Sequence, residues 1–199
     1  MSPAPVGLLL AAGRGARFDA TGQALKLTQP APRGPRAGTP LAVAAARALH
    51  EAGLPVIAVV RPAADAAQRE LHAMLAAEGC RLIVNADADA GMGTSLSVGV
   101  RAASDASGWI VALADMPAIR ATTIRAVADA LTAGLAVVAP SCRGTRGHPV
   151  GFARHLFNEL VALAGDQGAR VVLTRHPPHL LAVDDAGVLD DIDTRADLA

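Results

Sequence analysis

Between Val6 and Lys26 the chain reads VGLLLAAGRGARFDATGQALK, and this stretch concentrates groups able to hold an anion. Val6 to Ala11 is a short, continuous apolar run of the kind that forms a buried, parallel-type strand. Ala11, Ala12 and Gly13 are small enough for a ligand to approach the backbone closely. Arg14, Gly15 and Arg17 follow, and then Lys26, the only lysine among 18 lysines and arginines. In a chain that otherwise relies on arginine, a lone lysine marks a position suited to a compact ammonium rather than a planar guanidinium. Amides and point charges placed after a strand describe a phosphate cradle. The loop is not a dinucleotide fingerprint, because Phe18 replaces the third glycine and Arg33 and Arg36 lie where a ribose-binding acid is needed. Nor is it a Walker A loop, since Lys26 sits between Leu25 and Leu27. A strand-to-turn passage with solvating arginines stays open beside the cradle.

Three further places carry candidate chemistry. Asp115 follows the apolar run WIVALA and precedes Met116-Pro117, at the carboxyl end of a strand where open α/β sheets bind ligands. A carboxylate there suits Mg2+, which takes one or two carboxylates and completes its shell with phosphate oxygens and water; a turn or N-cap role is the simpler option. Asp191 and Asp193, in DIDT, fall on one face of an extended segment, so both could complete a metal site or belong to a solvated acidic tail. In RGTRGHPVGF, glycine and proline expose the His148 ring beside Arg143 and Arg146, which suits either substrate contact or a plain turn. No serine lies in a G-x-S-x-G elbow, and Cys80 and Cys142 show neither metal spacing nor a catalytic partner.

The elements that must position these groups alternate. Strands are predicted at 6–11, 55–60, 80–84, 109–114, 135–139 and 179–183, with a short strand at VGF. Helices are predicted from Thr39 (N-cap) and Pro40 (first turn) to Gly53, over 62–78, from about Thr94, over 121–132, over 154–164, and over 166–174. Strand–helix alternation without hairpin signals predicts a parallel sheet with helices on both faces. The Pro/Arg-rich segment 28–39 reads as a mobile loop, and Lys26 as exposed. At 199 residues one domain, 1–199, is expected. Hydrophobic content of 52% against 18% charged excludes a disordered chain. Zero net charge and only four aromatic side chains (no tyrosine, one tryptophan and three phenylalanines) argue against nucleic acid. No run reaches membrane-spanning length, and no basic leader precedes the first strand, so a cytoplasmic protein is expected.

Five segments in order, LLLAAGRGARF with Lys26, GMGTSLSVGV, LADMP, GHPVGF and DIDTRADL, are similar to the motifs of the molybdenum cofactor cytidylyltransferase-like nucleotidyltransferases, and together they span nearly the whole chain. The resemblance implies a Rossmann-like three-layer α/β/α sandwich, nucleotide-diphospho-sugar transferase-like, with a mostly parallel mixed sheet and one late antiparallel strand. It implies Mg2+-dependent transfer of CMP from CTP to the terminal phosphate of molybdenum-loaded molybdopterin, with release of pyrophosphate. Leu10, Ala11, Ala12, Gly13, Arg14, Gly15, Gly91 and Ser95 would bind nucleotide, and Lys26 and Arg17 would serve the triphosphate during catalysis. Asp115 and Asp193 would hold the metal, ahead of Asp191, while His148 and Arg146 would meet the acceptor. Related guanylyltransferases carry Gly-Gly where this chain has Ala12-Gly13, which favours CTP over GTP. Alternatives are a GTP-using or other-acceptor transferase, or an accessory protein that holds the cofactor for a molybdenum hydroxylase. The chain departs from the pattern in its long 18–25 and 28–39 segments, in Phe18, and in Ala88 before the Gly91-Met92 pair.

Overall fold

A computed structural model describes residues 4–19 and 24–199, so part of the long 18–25 segment lies outside the described residues. Strand β1 (Val6–Ala11) lies within the sheet, and its apolar side chains are covered on both faces. It pairs in parallel with β2 (Val56–Val60), and β3 (Arg81–Val84) extends that side. On its other side runs β4 (Gly108–Leu113), also parallel. Leu8 stands between Ile57 and Val111, which sets the register of the three central strands. Beyond them come β5 (Val137–Cys142), β6 (Thr145–Arg146), β7 (Val150–Ala153) and β8 (His179–Ala182). Strand β7 enters between β4 and β5 and runs antiparallel to both, whereas β8 pairs in parallel with β5. The eight-stranded sheet is therefore mixed, as the resemblance implies, although the two-residue β6 also runs antiparallel to β5, so that two late strands rather than one are reversed.

Helices α1 (Leu41–Glu51), α2 (Ala66–Ala77), α3 (Met92–Ala102), α4 (Ala121–Thr132), α5 (Phe157–Val161) and α6 (Arg170–Arg175) make the outer layers. Alternation along β1 sends Leu9 and Ala11 into one core with α1, α2 and α4, and Leu8 into the other with α3, α5 and α6. The result is a three-layer α/β/α sandwich. Helix α3 comes so close to the sheet that a Cβ on Gly99 would sit 2.9 Å from Val59 Cγ2. No helix among the described residues is long and apolar enough to cross a membrane.

Several boundaries differ from the sequence prediction for local reasons. Pro40, not Thr39, is the N-cap of α1, and it bridges Pro30 in extended backbone. Helix α2 waits until Ala66 because the Asp65 carboxylate accepts the Gln68 N–H at 2.8 Å. Helix α3 starts at Met92 instead of Thr94, since Gly91 takes φ +114° and turns the chain first. The predicted 154–164 helix begins as a 3-10 turn, where the Arg154 guanidinium donates to the carbonyls of Ser104 and Ala106. The helix predicted over 166–174 is α6, shifted towards its carboxyl end. Strand β5 starts at Val137 and runs to Cys142 because Pro140 and Ser141 pair with Leu181 and Ala182.

The 28–39 segment is anchored rather than mobile. Ala31 N–H donates to Thr39 O and Gly38 N–H to Ala31 O, both at 2.8 Å. Arg36 reaches Glu51 and the Ile119 carbonyl, and Arg33 grips the Asp190 carboxylate with two nitrogens.

Asp185 ties the last part of the chain to α4. Buried at 3% exposure, it accepts from Arg120 N–H at 2.9 Å, Thr123 Oγ1 at 2.6 Å and Gly187 N–H at 3.1 Å. Asp185→Ala orphans all three donors and is expected to lower unfolding stability by about 2–4 kcal/mol. A urea midpoint equal to that of the parent protein would show that this strap carries no stability.

Candidate active site

A cavity of about 380 Å3 opens over the carboxyl ends of β1, β2 and β4. The loop after β1 contributes Ala12, Gly13, Arg14 and Gly15, and the turn leading into α3 contributes Asp89, Gly91, Met92 and Ser95. Lys26 and Asp115 close its other side. Of the residues singled out for nucleotide binding, Leu10, Ala12, Gly13, Arg14, Gly15, Gly91 and Ser95 all line this one space, whereas Ala11 is buried in the sheet beside it.

The turn before α3 is built with little tolerance. A Cβ on Gly91 would collide with the Gly165 carbonyl, and Gly93 N–H donates to that same carbonyl oxygen at 2.9 Å. Asn85, at 2% exposure, donates through Nδ2 to Thr94 Oγ1 and Ser95 Oγ, each at 3.0 Å, and accepts from Asp87 N–H. Ser95 is thereby fixed on the cavity wall. Across the mouth, the Asp89 carboxylate binds Arg14 through Nε at 2.7 Å and also binds Arg61. These hydrogen bonds, Arg14 first, hold the Asp89 carboxyl well below the usual carboxylate range. Arg61 Nη1 also donates to the Ala12 carbonyl at 3.1 Å, which fixes the β1 loop from β2. Sequence reasoning missed Arg61, Asn85 and Asp89. Arg61 was findable, because it follows β2 directly at the edge where Asp115 follows β4.

Lys26 is not exposed. Its side chain is 8% accessible, held in a 3-10 turn flanked by buried Leu25 and Leu27. Its ammonium lies 2.7 Å from Asp115 Oδ2 and 3.5 Å from Asp193 Oδ1. The carboxylates are thus no further apart than those two distances laid end to end, although Asp115 and Asp193 lie 78 positions apart in sequence. Arg17 meets the remaining Asp193 oxygen at 2.7 Å. Ile192, fully buried, donates its N–H to the Asp115 carbonyl at 3.0 Å, and so brings the two acidic segments together. Asp197 completes the support by accepting from the N–H groups of Asp193 and Thr194, at 3.0 and 2.7 Å. Asp191 lies close enough for burial and the neighbouring Asp193 and Asp115 charges to raise its carboxyl above the ordinary range.

A second cavity, also about 380 Å3, adjoins the first and shares Leu10, Met92 and Leu113 with it. Its walls are mostly apolar, and Arg146, His148, Gln167, Arg170 and Thr174 supply its polar side chains. Burial, then the Arg146 charge, lowers the pKa of His148, so its ring is neutral at pH 7. The buried Nδ1 of that ring has no hydrogen-bond partner among the described residues.

Asp115 and Asp193 present hard oxygen donors, each about a quarter exposed, around a point already shown to accommodate a cation. No set of three or more His, Cys, Asp or Glu among the described residues is arranged to hold a metal alone. The donor set therefore fits a hard divalent ion that takes its other ligands from phosphate and water.

The mixed sheet with its late antiparallel strands is a Rossmann-like α/β architecture of the nucleotide-diphospho-sugar transferase type, a fold that solved structures share. Residues 7–180 match the MobA-like NTP transferase domain, and the chain belongs to that family. It is 30% identical over 201 residues to nicotine blue oxidoreductase of Paenarthrobacter nicotinovorans, covering 96% of this chain and 93% of that one. The crystal structure of Rv0371c from Mycobacterium tuberculosis H37Rv superposes with a TM-score of 0.81 at 29% identity, over 99% of this chain and 96% of the other. That protein has also been solved in complex with manganese, with a TM-score of 0.77, 27% identity and the same coverage. A nucleotidyl transferase from Methanothermobacter thermautotroptrophicus shares the fold at a TM-score of 0.75 and 22% identity, over 98% of this chain and 94% of its own.

Proposed function

We propose that this chain transfers CMP from CTP to the terminal phosphate of a molybdopterin cofactor carrying molybdenum, in the cytoplasm, with a molybdenum hydroxylase receiving the product. The observation that carries this reading is the buried Lys26 ammonium between Asp115 and Asp193 at the rim of the nucleotide-sized cavity. Amides around Ala12 and Gly13, with Ser95 opposite, hold base and ribose, while Gly15, Arg17 and Lys26 face the triphosphate. An acceptor phosphate oxygen attacks the α-phosphorus in line. The bond from the α-phosphorus to the bridging oxygen breaks, and its electron pair leaves with pyrophosphate. Lys26 and Arg17 offset the charge that grows on that leaving group. Asp115 and Asp193 would hold Mg2+ or Mn2+, which supplies charge neutralisation at the phosphate oxygens when bound. Manganese bound to the related Rv0371c supports a divalent-cation site of this kind. The adjoining cavity takes the acceptor: its apolar walls suit a flat heterocycle, Arg146 an anionic group, and neutral His148 a hydrogen bond.

The likeness to a protein named as an oxidoreductase supports a second reading, in which the chain holds a nucleotide-bearing cofactor without transferring a nucleotidyl group. Pyrophosphate release measured with each of the four nucleoside triphosphates, with and without molybdenum-loaded molybdopterin, separates the two. Release with CTP that depends on the acceptor is expected. Nucleotide binding with no release under any combination establishes the second reading. Release with GTP instead keeps the transferase and overturns only the choice of base.

Ala12 is the residue through which base choice is tested. Its methyl group borders the nucleotide cavity. Ala12→Gly is expected to reduce the CTP-to-GTP ratio of kcat/KM by about tenfold, the scale of a single carbon in a pocket. An unchanged ratio in that variant, and in one also altered at Ser95, would place base selection elsewhere.

A further inference from the structure

The cations of the β1 loop region do not stand free over the cavity. Lys26 binds one oxygen of Asp115 and one of Asp193, and Arg17 binds the other Asp193 oxygen. Arg14 is held in the same manner by Asp89. The side chains suited to phosphate and the carboxylates suited to a divalent ion therefore satisfy one another. A divalent ion approaching Asp115 and Asp193 meets an ammonium at contact distance from the oxygens it needs, and like charges at such separations repel strongly in a partly buried site. Lys26 cannot simply swing into solvent, since its side chain is 8% accessible and its turn is closed by the Gln29 N–H to Lys26 O hydrogen bond at 3.0 Å. A triphosphate changes the balance, because its oxygens offer the ammonium and the guanidinium a new partner on the cavity side.

We propose that Lys26 and Arg17 are built-in counterions of Asp115 and Asp193 that keep divalent-cation affinity low until a nucleoside triphosphate draws them away. This rests on the reading of Asp115 and Asp193 as cation ligands. Cation and triphosphate then bind with positive coupling, and the coupling is reciprocal. The chain avoids filling its metal site before substrate arrives, without any moving domain.

The test is a titration of the full chain with Mn2+, followed by the electron paramagnetic resonance signal of the free ion. It is run alone and with a CTP analogue carrying a methylene in place of the α–β bridging oxygen, corrected for Mn2+ bound by the analogue itself. The parent protein is expected to bind Mn2+ at least about tenfold more tightly with the analogue than alone, within the usual range of coupling between sites. Lys26→Met is expected to bind Mn2+ alone at least about tenfold more tightly than the parent and to gain less from the analogue. Arg17→Met, at an exposed side chain where folding is not at risk, shifts affinity in the same direction by a smaller factor. Circular dichroism confirms that each variant is folded. Mn2+ affinity in both variants equal to or below that of the parent overturns the proposal, as does parent affinity that ignores the analogue. Asp115→Asn separates the premises: if it leaves Mn2+ binding with the analogue intact, the ligand assignment itself fails. If it abolishes binding while Lys26→Met changes nothing, only the counterion role is lost.

Discussion

Asp115→Asn and Asp193→Asn are each expected to lower pyrophosphate release by at least about two orders of magnitude while the fold is retained. Folding does not need either carboxylate as an acid. Asp115 joins the two segments through its backbone carbonyl, which accepts the Ile192 N–H, and Asp193 is positioned through its own N–H by Asp197. Their side chains instead converge on Lys26 from the middle and the last part of the chain. Two acids that share one cation act as a unit, so the double variant should lose less than the two single losses combined. Near-parental release from either single variant would remove that residue from the site. Strictly additive losses would show that the two act separately, and the convergence seen here would then be structural only. Stability measured alongside by urea unfolding guards against a folding defect read as lost chemistry.

Much of the fold was legible because its signals are local. The apolar runs that became β1, β2 and β4 are buried on both faces, and a run of that kind reads as a parallel strand without any knowledge of its partners. What the chain did not disclose locally was pairing. Nothing in VGF says that β7 must enter between β4 and β5 in the opposite direction; the likeness to known motifs implied one late antiparallel strand but not which strand or where it inserts. Helix starts slipped where a side chain or a glycine overrode propensity, as Asp65 did for α2 and Gly91 for α3. The 28–39 segment read as mobile because proline and glycine dominate it, but its arginines hold it from outside, through Glu51, Asp190 and the Ile119 carbonyl.

The candidate site divides along the same line. Residues at the ends of strands, such as Gly13 and Asp115, were legible because position along a strand fixes which edge they reach. Lys26 stood out by type, yet its burial did not, since that depends on a 3-10 turn anchored in the core by Leu25 and Leu27 and on acids from distant segments. Asp89 is one of two acids in the segment 85–90, and only the fold distinguishes it by setting it between Arg14 and Arg61. Asn85 gave no signal at all, because its work is to hold two hydroxyl groups nine and ten residues on, in the first turn of α3.

Lys26→Ala is expected to cut turnover by about two orders of magnitude or more, the scale of losing one preorganised charge contact to a leaving group. Its burial adds a second effect. Removing the ammonium leaves Asp115 and Asp193 facing one another with Arg17 alone to compensate, and deletes packing beneath the loop, so stability should also fall by about 1–3 kcal/mol. The two effects separate through paired variants. Lys26→Met keeps the aliphatic stem and should recover part of the stability but none of the rate. Lys26→Arg keeps the charge but replaces a compact ammonium with a planar fork at a side chain only 8% accessible and set between two carboxylates, so it should recover little turnover. The loss should lie in kcat more than in KM for CTP, because the charge it opposes grows as pyrophosphate departs. Turnover in Lys26→Met close to that of the parent, on protein shown to be folded, would reduce Lys26 to a structural counterion and leave Arg17 as the cation of the reaction.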